Sequence, residues 1–295
     1  MSGGTAAAVV IEAVGLTKSY GNAKAVPAAV AVDRLDLAVP AGELFAFLGE
    51  NGAGKTTTIK MLTGLIPPTA GAARIGGHDL RTEPLPAKRL VGYVPDNPFL
   101  YERLTGNEFL RFMGDLYSVP PGPARDRRAA DLLALFDLSA KADAPIGGYS
   151  RGMRQKIALA AALLHEPRAL FLDEPTVGLD PKSTRRLQDV LRTVAARGVA
   201  VFLSTHVLEV AAGLCDRIGI LHRGRLVALG TPDRLTEGGS RTLEEVFLAL
   251  TGGGAAGAQD EVARLLGGVE GSVPERGEGA DGDAAKAAAA GARRP

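Results

Sequence analysis

The sequence predicts an α/β fold in which helices cover the faces of a mostly parallel sheet. Short apolar runs of strand length alternate with helical patterns along most of the chain. A glycine-rich loop stands between one such run, residues 45–48, and the helix that follows it. A stretch of purely helical pattern interrupts the alternation, which predicts an inserted α-helical subdomain at about residues 97–161.

The N-terminal third alternates strands with one helix. Residues 9–48 are rich in Val, Ala and Leu and punctuated by Gly and Pro, which predicts short strands. Residues 45–48 form a buried strand that ends at Gly49, and residues 56–65 form a helix stopped by Pro67 and Pro68. Another short apolar strand is predicted over residues 91–94.

The middle of the chain is helical. Thr105 followed by Glu108 forms a capping box, which predicts a helix that begins there and ends near Tyr117. The prolines at 120, 121 and 123 break the pattern, and residues 125–138 resume it. A third helix follows Ser150.

The last third returns to strand–helix–strand. Residues 169–172 and 199–203 are apolar runs of buried-strand length, and Asp180–Pro181 between them opens a helix. Residues 218–221 and 226–229 flank a turn and predict a hairpin. Past Thr251 the chain is dominated by Gly, Ala and mixed charges, so we expect a folded unit over residues 9–251 and a disordered tail over 252–295.

Composition excludes several classes of protein. The 34 basic and 33 acidic residues nearly cancel, which gives no reason to expect a nucleic-acid partner. The single cysteine, Cys215, excludes an internal disulfide framework and a cysteine metal cluster. No targeting segment is visible, and no apolar run reaches the roughly 18 residues that cross a bilayer. We therefore expect membrane association only through a partner, and surface positions for His78, His165 and His222.

The glycine-rich loop matches the phosphate-binding pattern G-x-x-x-x-G-K-[ST] and places the chain among P-loop NTPases. Glycines let the backbone wrap closely around phosphate oxygens, and the N–H groups at the start of the helix face the anion. Lys55 supplies a mobile charge for the outer phosphates, and Thr56 offers a hydroxyl to Mg²⁺. The predicted nucleotide-binding residues of this segment are Gly49, Glu50, Asn51, Gly52, Ala53, Gly54, Lys55, Thr56 and Thr57.

A buried strand that ends in two acids, Asp173 and Glu174, is the second chemical element. Downstream of a phosphate-binding loop, the first acid is expected to hold Mg²⁺, directly or through its water, together with Thr56. The second is expected to polarise the attacking water. The sequence thus predicts ATP hydrolysis.

At this point the chain resembles the ATP-binding-cassette (ABC) ATPase family over residues 9–251. Residues 149–155, YSRGMRQ, resemble its signature motif, usually Leu-Ser-Gly-Gly-Gln-x-Gln; Ser150 and Gly152 match, whereas Arg151 and Met153 depart. The resemblance implies an N-terminal antiparallel β subdomain beside the core sheet. It also implies that Ser150 and Gly152 contact the γ-phosphate of ATP held by another subunit, and that His206 senses the γ-phosphate. Tyr20 is expected to stack on adenine. Residues 178–180 are expected to communicate across the dimer.

Two further departures bear on function. Asp96 stands where the family usually has a glutamine that binds Mg²⁺ and joins the core to the helical subdomain. An aspartate can also bind Mg²⁺, but it adds negative charge beside the phosphates. The stretch 20–42 is longer than usual, with residues 26–32 inserted, which predicts an enlarged strand connection near the adenine.

The resemblance implies a subunit that uses ATP and Mg²⁺ to power a separate multi-spanning membrane permease. It would lie on the cytoplasmic side, peripheral to the inner face of the membrane, and sandwich ATP against a second copy or a homologous cassette. Residues 241–247 resemble the ending of single-cassette exporter subunits, and the tail is too simple for the regulatory domain of many importers. We therefore favour export.

Three other functions fit the sequence less well. Soluble ABC proteins that act on ribosomes carry two cassettes, and this chain shows one. Chromosome-maintenance and DNA-repair ATPases separate the two phosphate motifs by a long coiled coil, whereas Thr56 and Ser150 are separated only by an insert of subdomain size. A non-hydrolysing scaffold would need neither Glu174 nor His206.

Overall fold

A computed structural model describes residues 7–21 and 29–252 of the chain. The strands are β1 (Val9–Tyr20), β2 (Ala29–Pro40), β3 (Leu44–Gly49), β4 (Ala70–Ile75), β5 (His78–Asp79), β6 (Val91–Val94), β7 (Ala169–Asp173), β8 (Ala200–Thr205), β9 (Arg217–His222) and β10 (Arg225–Gly230). The helices are α1 (Lys55–Leu62), α2 (Pro84–Arg89), α3 (Gly106–Leu116), α4 (Pro123–Leu135), α5 (Arg151–Leu164), α6 (Pro181–Ala196), α7 (Leu208–Leu214), α8 (Pro232–Leu235) and α9 (Leu243–Thr251).

The strands form two sheets. The larger has the order β10-β9-β3-β8-β7-β6, and its neighbours are parallel except for the antiparallel β9–β10 hairpin. The smaller sheet, β2-β1-β4-β5, is antiparallel throughout. The predicted α/β fold with a mostly parallel core sheet and an N-terminal antiparallel part is confirmed.

Strand β3 divides the core because successive side chains of a strand point to opposite faces. Leu44, Ala46 and Leu48 pack in a cluster with residues of helices α3–α7. Phe45 and Phe47 point the other way, into a cluster with residues of β1, β2 and α1. Every residue of β3 is buried, as the continuous apolar run predicts for a central parallel strand. The phosphate-binding loop therefore starts from a fully buried strand.

Two predicted helix starts are confirmed. The Thr105 hydroxyl accepts the Glu108 N–H at 3.2 Å, and the Glu108 carboxylate accepts the Thr105 N–H at 2.9 Å, which completes the capping box of α3. Asp180 caps α6 by accepting the Ser183 N–H at 2.9 Å, with Pro181 in the first turn.

Two predicted helix ends are wrong, and the reason is the same in both. Helix α1 ends at Leu62 rather than 65, because Gly64 takes a positive φ of 68° and the Leu65 N–H bonds back to the Lys60 carbonyl at 2.8 Å. Helix α4 ends at Leu135 rather than 138, because Asp137 takes a φ of 57° in the same kind of turn. It also starts two residues earlier than predicted, with Pro123 in its first turn.

The N-terminal strands also differ from the prediction. β1 and β2 are not short; each is 12 residues long. Of the segment 26–32 expected to enlarge a connection, residues 29–32 lie in β2, and 26–28 lie outside the described residues. The tail expected to be disordered also lies outside them, apart from Gly252.

His165 is not a surface residue. Its ring stacks on Tyr117 with centroids 3.7 Å apart, and Nε2 lies 3.0 Å from the Val91 carbonyl. Burial lowers the pKa of His165 to about 4, so this imidazole is neutral and donates to the carbonyl. In the described part of the chain, no helix combines the length and the apolar character needed to span a membrane.

Candidate nucleotide site

The loop between β3 and α1 is shaped by positions that admit no side chain. Gly54, directly before α1, has a φ of 111°, and a Cβ there would lie 2.3 Å from the Ala31 carbonyl oxygen of β2. A Cβ on Gly49 would lie 2.7 Å from the Leu221 carbonyl oxygen of β9. Both glycines therefore allow the loop to press against neighbouring strands.

Lys55 is held inside this loop. Its side chain is 7% exposed, and Nζ donates to the carbonyls of Gly49 at 2.6 Å and Glu50 at 3.3 Å. Burial lowers the pKa of Lys55, although the carboxylates of Glu174 and Asp173 oppose that shift. The Lys55 ammonium is buried, and Oε1 of Glu174, the carboxylate oxygen paired with it, is 3.9 Å away. This ammonium is therefore well suited to bind an anionic phosphate.

Asp173 ends β7 and is fixed by two hydroxyls. Thr56, in the first turn of α1, donates to Oδ2 at 2.9 Å. Ser204, which lies opposite Asp173 on β8, donates to Oδ1. The structure thus brings the two residues predicted to hold Mg²⁺, Thr56 and Asp173, into direct contact.

Ser204 was not among the predicted site residues. It is fully buried and orients a carboxylate 31 positions away in the chain. The sequence indicates only a hydroxyl at the end of an apolar strand. It does not indicate that this hydroxyl donates to Asp173. The contact follows from the parallel register of β7 and β8.

Glu174 sits at the turn that leaves β7, with an uncommon positive φ of 50°. Its Oε1 lies 2.9 Å from Nδ1 of His206 and 3.9 Å from Nζ of Lys55. Its Oε2 is buried and has no hydrogen-bond partner among the described residues. A buried carboxylate oxygen without a partner is costly unless a donor arrives, so this atom is placed to receive one, such as a water.

The cleft formed by these residues has a volume of about 280 Å³. This is small for a whole nucleotide but adequate for a phosphate chain. No group of three or more His, Cys, Asp or Glu able to hold a metal occurs in the described ranges. A Mg²⁺ bound by Thr56 and Asp173 would take its other ligands from phosphates and water, as Mg²⁺ commonly does. The lining residues are Ala31, Glu50, Asn51, Gly52, Gly54, Lys55, Thr56, Thr57, Asp96, Asp173 and Glu174.

Asp96, the predicted substitute for glutamine, also lines this cleft. Its carboxylate is paired with Arg151 of the signature segment, Oδ1 to Nη2 at 3.5 Å. Asp96 therefore lies at the predicted site, but its carboxylate forms an ion pair with the guanidinium of Arg151.

Ser150 caps α5 by accepting the Met153 N–H at 3.3 Å, as predicted. Neither Ser150 nor Gly152 is among the described residues that line the cleft of the same chain. The N-terminal end of α5 instead contacts the loop before α6, where a Cβ on Gly152 would lie 3.5 Å from Leu179. One chain alone therefore does not assemble all the predicted nucleotide contacts.

Tyr20 ends β1 with 47% of its surface exposed, and Lys18 lies over its ring at 5.3 Å from the centroid. It pairs with Ala29 of β2, the strand that contributes Ala31 to the cleft. Tyr20 itself does not line the cleft within the described part of the chain, and its contact with adenine stays a prediction.

A larger depression of about 1070 Å³ lies between α4 and α6. Its arginines alternate with acids, and Arg128 already pairs with Glu166 at 2.7 Å. None of the predicted site residues lines it. The larger depression has mixed charge and is lined by residues far in sequence from the phosphate loop. The smaller cleft is therefore the candidate site.

The chain is similar to known proteins over most of its length. The family model described as "ABC transporter" matches residues 32–177. The chain is 39% identical over 253 residues to the probable multidrug ABC transporter ATP-binding protein YbhF of Escherichia coli K12, covering 84% of this chain but 42% of YbhF. The chain thus spans less than half the length of that relative.

Two solved structures share the fold. The first, an ATP-binding subunit of an ABC transporter, is 35% identical with a TM-score of 0.74 and covers 82% of this chain and 99% of its own. The second, a dimeric structure of MJ0796, a bacterial ABC transporter cassette, is 25% identical with a TM-score of 0.68 and covers 75% and 98%.

Proposed function

This chain belongs to the ABC transporter family, and we propose that it is the ATP-hydrolysing subunit of an exporter whose membrane permease is a separate chain. The observation that carries the proposal is the arrangement of Glu174 in the cleft. Its Oε1 is held by His206, and its Oε2 is buried and free to accept a proton from a water.

Binding is the task of the phosphate loop. Lys55 exchanges the carbonyls of Gly49 and Glu50 for phosphate oxygens, and the N–H groups at the start of α1 complete the anion site. Thr56 and Asp173 would hold Mg²⁺, and Ser204 fixes the second carboxylate oxygen of Asp173. The metal, when bound, neutralises charge on the phosphates.

Hydrolysis is the task of Glu174. Its carboxylate orients a water toward the γ-phosphate and takes its proton, while His206 keeps the carboxylate from turning away. Lys55, 3.9 Å from the same carboxylate, links phosphate binding to the position of the base. No covalent bond to the protein is needed, because phosphoryl transfer depends on positioning and charge.

We propose that the second half of the site comes from another cassette. Ser150 and Gly152 stand at the start of α5 and do not line the cleft among the described residues of their own chain, so a second copy can present this helix end to the nucleotide. The dimeric form of the related cassette supports this arrangement. The multidrug name of YbhF supports export rather than import.

Turnover of ATP by the purified chain tests the proposal. We expect Lys55→Ala to abolish tight ATP binding and hydrolysis, because Lys55 alone brings a full positive charge into the loop. Lys60→Ala, an exposed position on the same helix, is the matched control and should keep wild-type rates. Near wild-type hydrolysis by Lys55→Ala would overturn the assignment of the site.

A further inference from the structure

Two departures from the family pattern touch each other. Arg151 opens α5, and Asp96 lies two residues after β6 at the edge of the phosphate cleft. Their side chains are 57% and 50% exposed and form an ion pair of 3.5 Å. The pair therefore joins the signature helix to the core segment that borders the nucleotide.

The stem of Arg151 is guided by a third segment. Gly178, in the loop between Glu174 and α6, has a φ of 81°, and a Cβ there would lie 2.9 Å from Cδ of Arg151. Only a glycine lets the stem lie this close to the loop. The stem of Arg151 therefore lies against this loop, and its guanidinium reaches Asp96.

The charges of the cleft explain what the pair does. Four of the described lining residues are acidic, namely Glu50, Asp96, Asp173 and Glu174, and one, Lys55, is basic. Thr56 and Ser204 donate hydrogen bonds to the carboxylate of Asp173. Nδ1 of His206 contacts Oε1 of Glu174. Asp96 adds a charge that repels polyphosphate, and Arg151 is the cation that faces it.

We propose that Arg151 is a positioning residue that pairs with Asp96, so that the two side chains act as one neutral unit beside the nucleotide. The inference rests on the proposed function in that the ligand of the cleft is ATP. Arginine and aspartate then occur here together because each compensates for the other. Where the family pattern has glycine and glutamine at these two positions, no such compensation is needed.

The inference predicts opposite signs for the two single substitutions. Arg151→Ala leaves Asp96 unpaired and should weaken ATP binding by about two- to five-fold, the range for an exposed ion pair. Asp96→Asn leaves Arg151 free to attract phosphate and should tighten ATP binding by about the same factor. The double variant should bind within about two-fold of wild type, since the cleft regains its net charge.

Calorimetric titration with ATP, with and without Mg²⁺ and at two salt concentrations, measures these affinities. Both single effects should shrink at high salt, because ions screen exposed charges. The control pair is Arg186 of α6 and Asp137, whose side chains lie 2.9 Å apart, are 40% and 54% exposed, and do not line the cleft. Arg186→Ala and Asp137→Asn should shift the melting temperature without changing ATP affinity.

Three results separate the possibilities. Weaker binding in both single variants, adding up in the double variant, would overturn the inference. A loss in Asp96→Asn confined to Mg²⁺-ATP would also overturn it and assign Asp96 to the metal instead. A wild-type protein that binds no ATP would defeat the proposed function itself, whereas the first two results leave that function standing.

Discussion

Substitution of Glu174 by glutamine is the sharpest perturbation of the chemistry. The side chain is 14% exposed, and its two oxygens have different surroundings. Oε1 contacts His206 at 2.9 Å, and Oε2 is buried without a partner in the described chain. Glutamine keeps the shape and a hydrogen-bonding oxygen but removes the base.

The expected loss of hydrolysis rate follows from the role of Glu174 as a general base. A positioned general base contributes about 10²- to 10⁴-fold, so the barrier to hydrolysis should rise by about 3 to 5 kcal/mol. ATP binding should survive, because Lys55, Thr56 and the loop N–H groups are untouched. Removal of one negative charge next to Lys55 should leave ATP held at least as tightly.

The assay is phosphate release at saturating Mg²⁺-ATP, combined with an ATP-binding titration of the same protein. Glu166→Gln is a suitable control, since that side chain is 73% exposed and belongs to the separate Arg128 pair. We expect wild-type turnover from the control and a loss of turnover without a loss of binding from Glu174→Gln.

Hydrolysis by Glu174→Gln at the wild-type rate would refute the role given to this carboxylate. A variant that loses binding together with turnover would refute the division of labour between Glu174 and the phosphate loop.

Two further predictions concern buried polar contacts. Ser204→Ala should lower the unfolding free energy by about 1–3 kcal/mol, because Oδ1 of Asp173 loses its donor in a buried setting, and a shift in the denaturant midpoint checks this. His165 is neutral in the fold with a pKa of about 4, whereas an unfolded histidine titrates near 6.5. Protons therefore favour the unfolded chain, and the unfolding free energy should fall by up to about 3 kcal/mol as the pH drops from 6.5 to 4. His165→Gln should flatten that dependence, and an unchanged pH profile would contradict the burial of the ring.

The local elements of the fold could be predicted from the sequence because their signals are local. The capping box of Thr105 and Glu108 and the Asp180 cap are complete within a few residues. The phosphate loop is likewise defined by its spacing and by the strand and helix around it. These are the parts for which residue order and backbone geometry determine each other.

What could not be predicted depends on contacts between distant segments. Ser204 meets Asp173 because β7 and β8 are in parallel register, and Arg151 meets Asp96 because α5 lies next to the segment after β6. The ends of α1 and α4 were missed for another reason. A left-handed turn at Gly64 or Asp137 closes the helix before the later proline or the apolar pattern would do so.

The length of the first two strands was also beyond the sequence signal. Glycine and proline within residues 9–48 suggested several short strands. The sheet instead keeps β1 and β2 paired over 12 residues each by shifting register at several points. Such irregular pairing depends on both strands at once. It therefore cannot be predicted from the sequence of either strand alone.

In the proposed function, two chains share each ATP between the phosphate loop of one and the Ser150 helix of the other. Light scattering on Glu174→Gln measures it most directly, because hydrolysis no longer opens the dimer. With Mg²⁺-ATP we expect a mass of about 61 kDa, twice the 30.5 kDa of one chain, and with ADP a mass of one chain. Adding Ser150→Arg to the same protein should return it to a single chain, because the substitution removes the cap and fills the place of the phosphate. A single-chain mass of Glu174→Gln with Mg²⁺-ATP, or a dimer that forms equally well with ADP, would contradict the account.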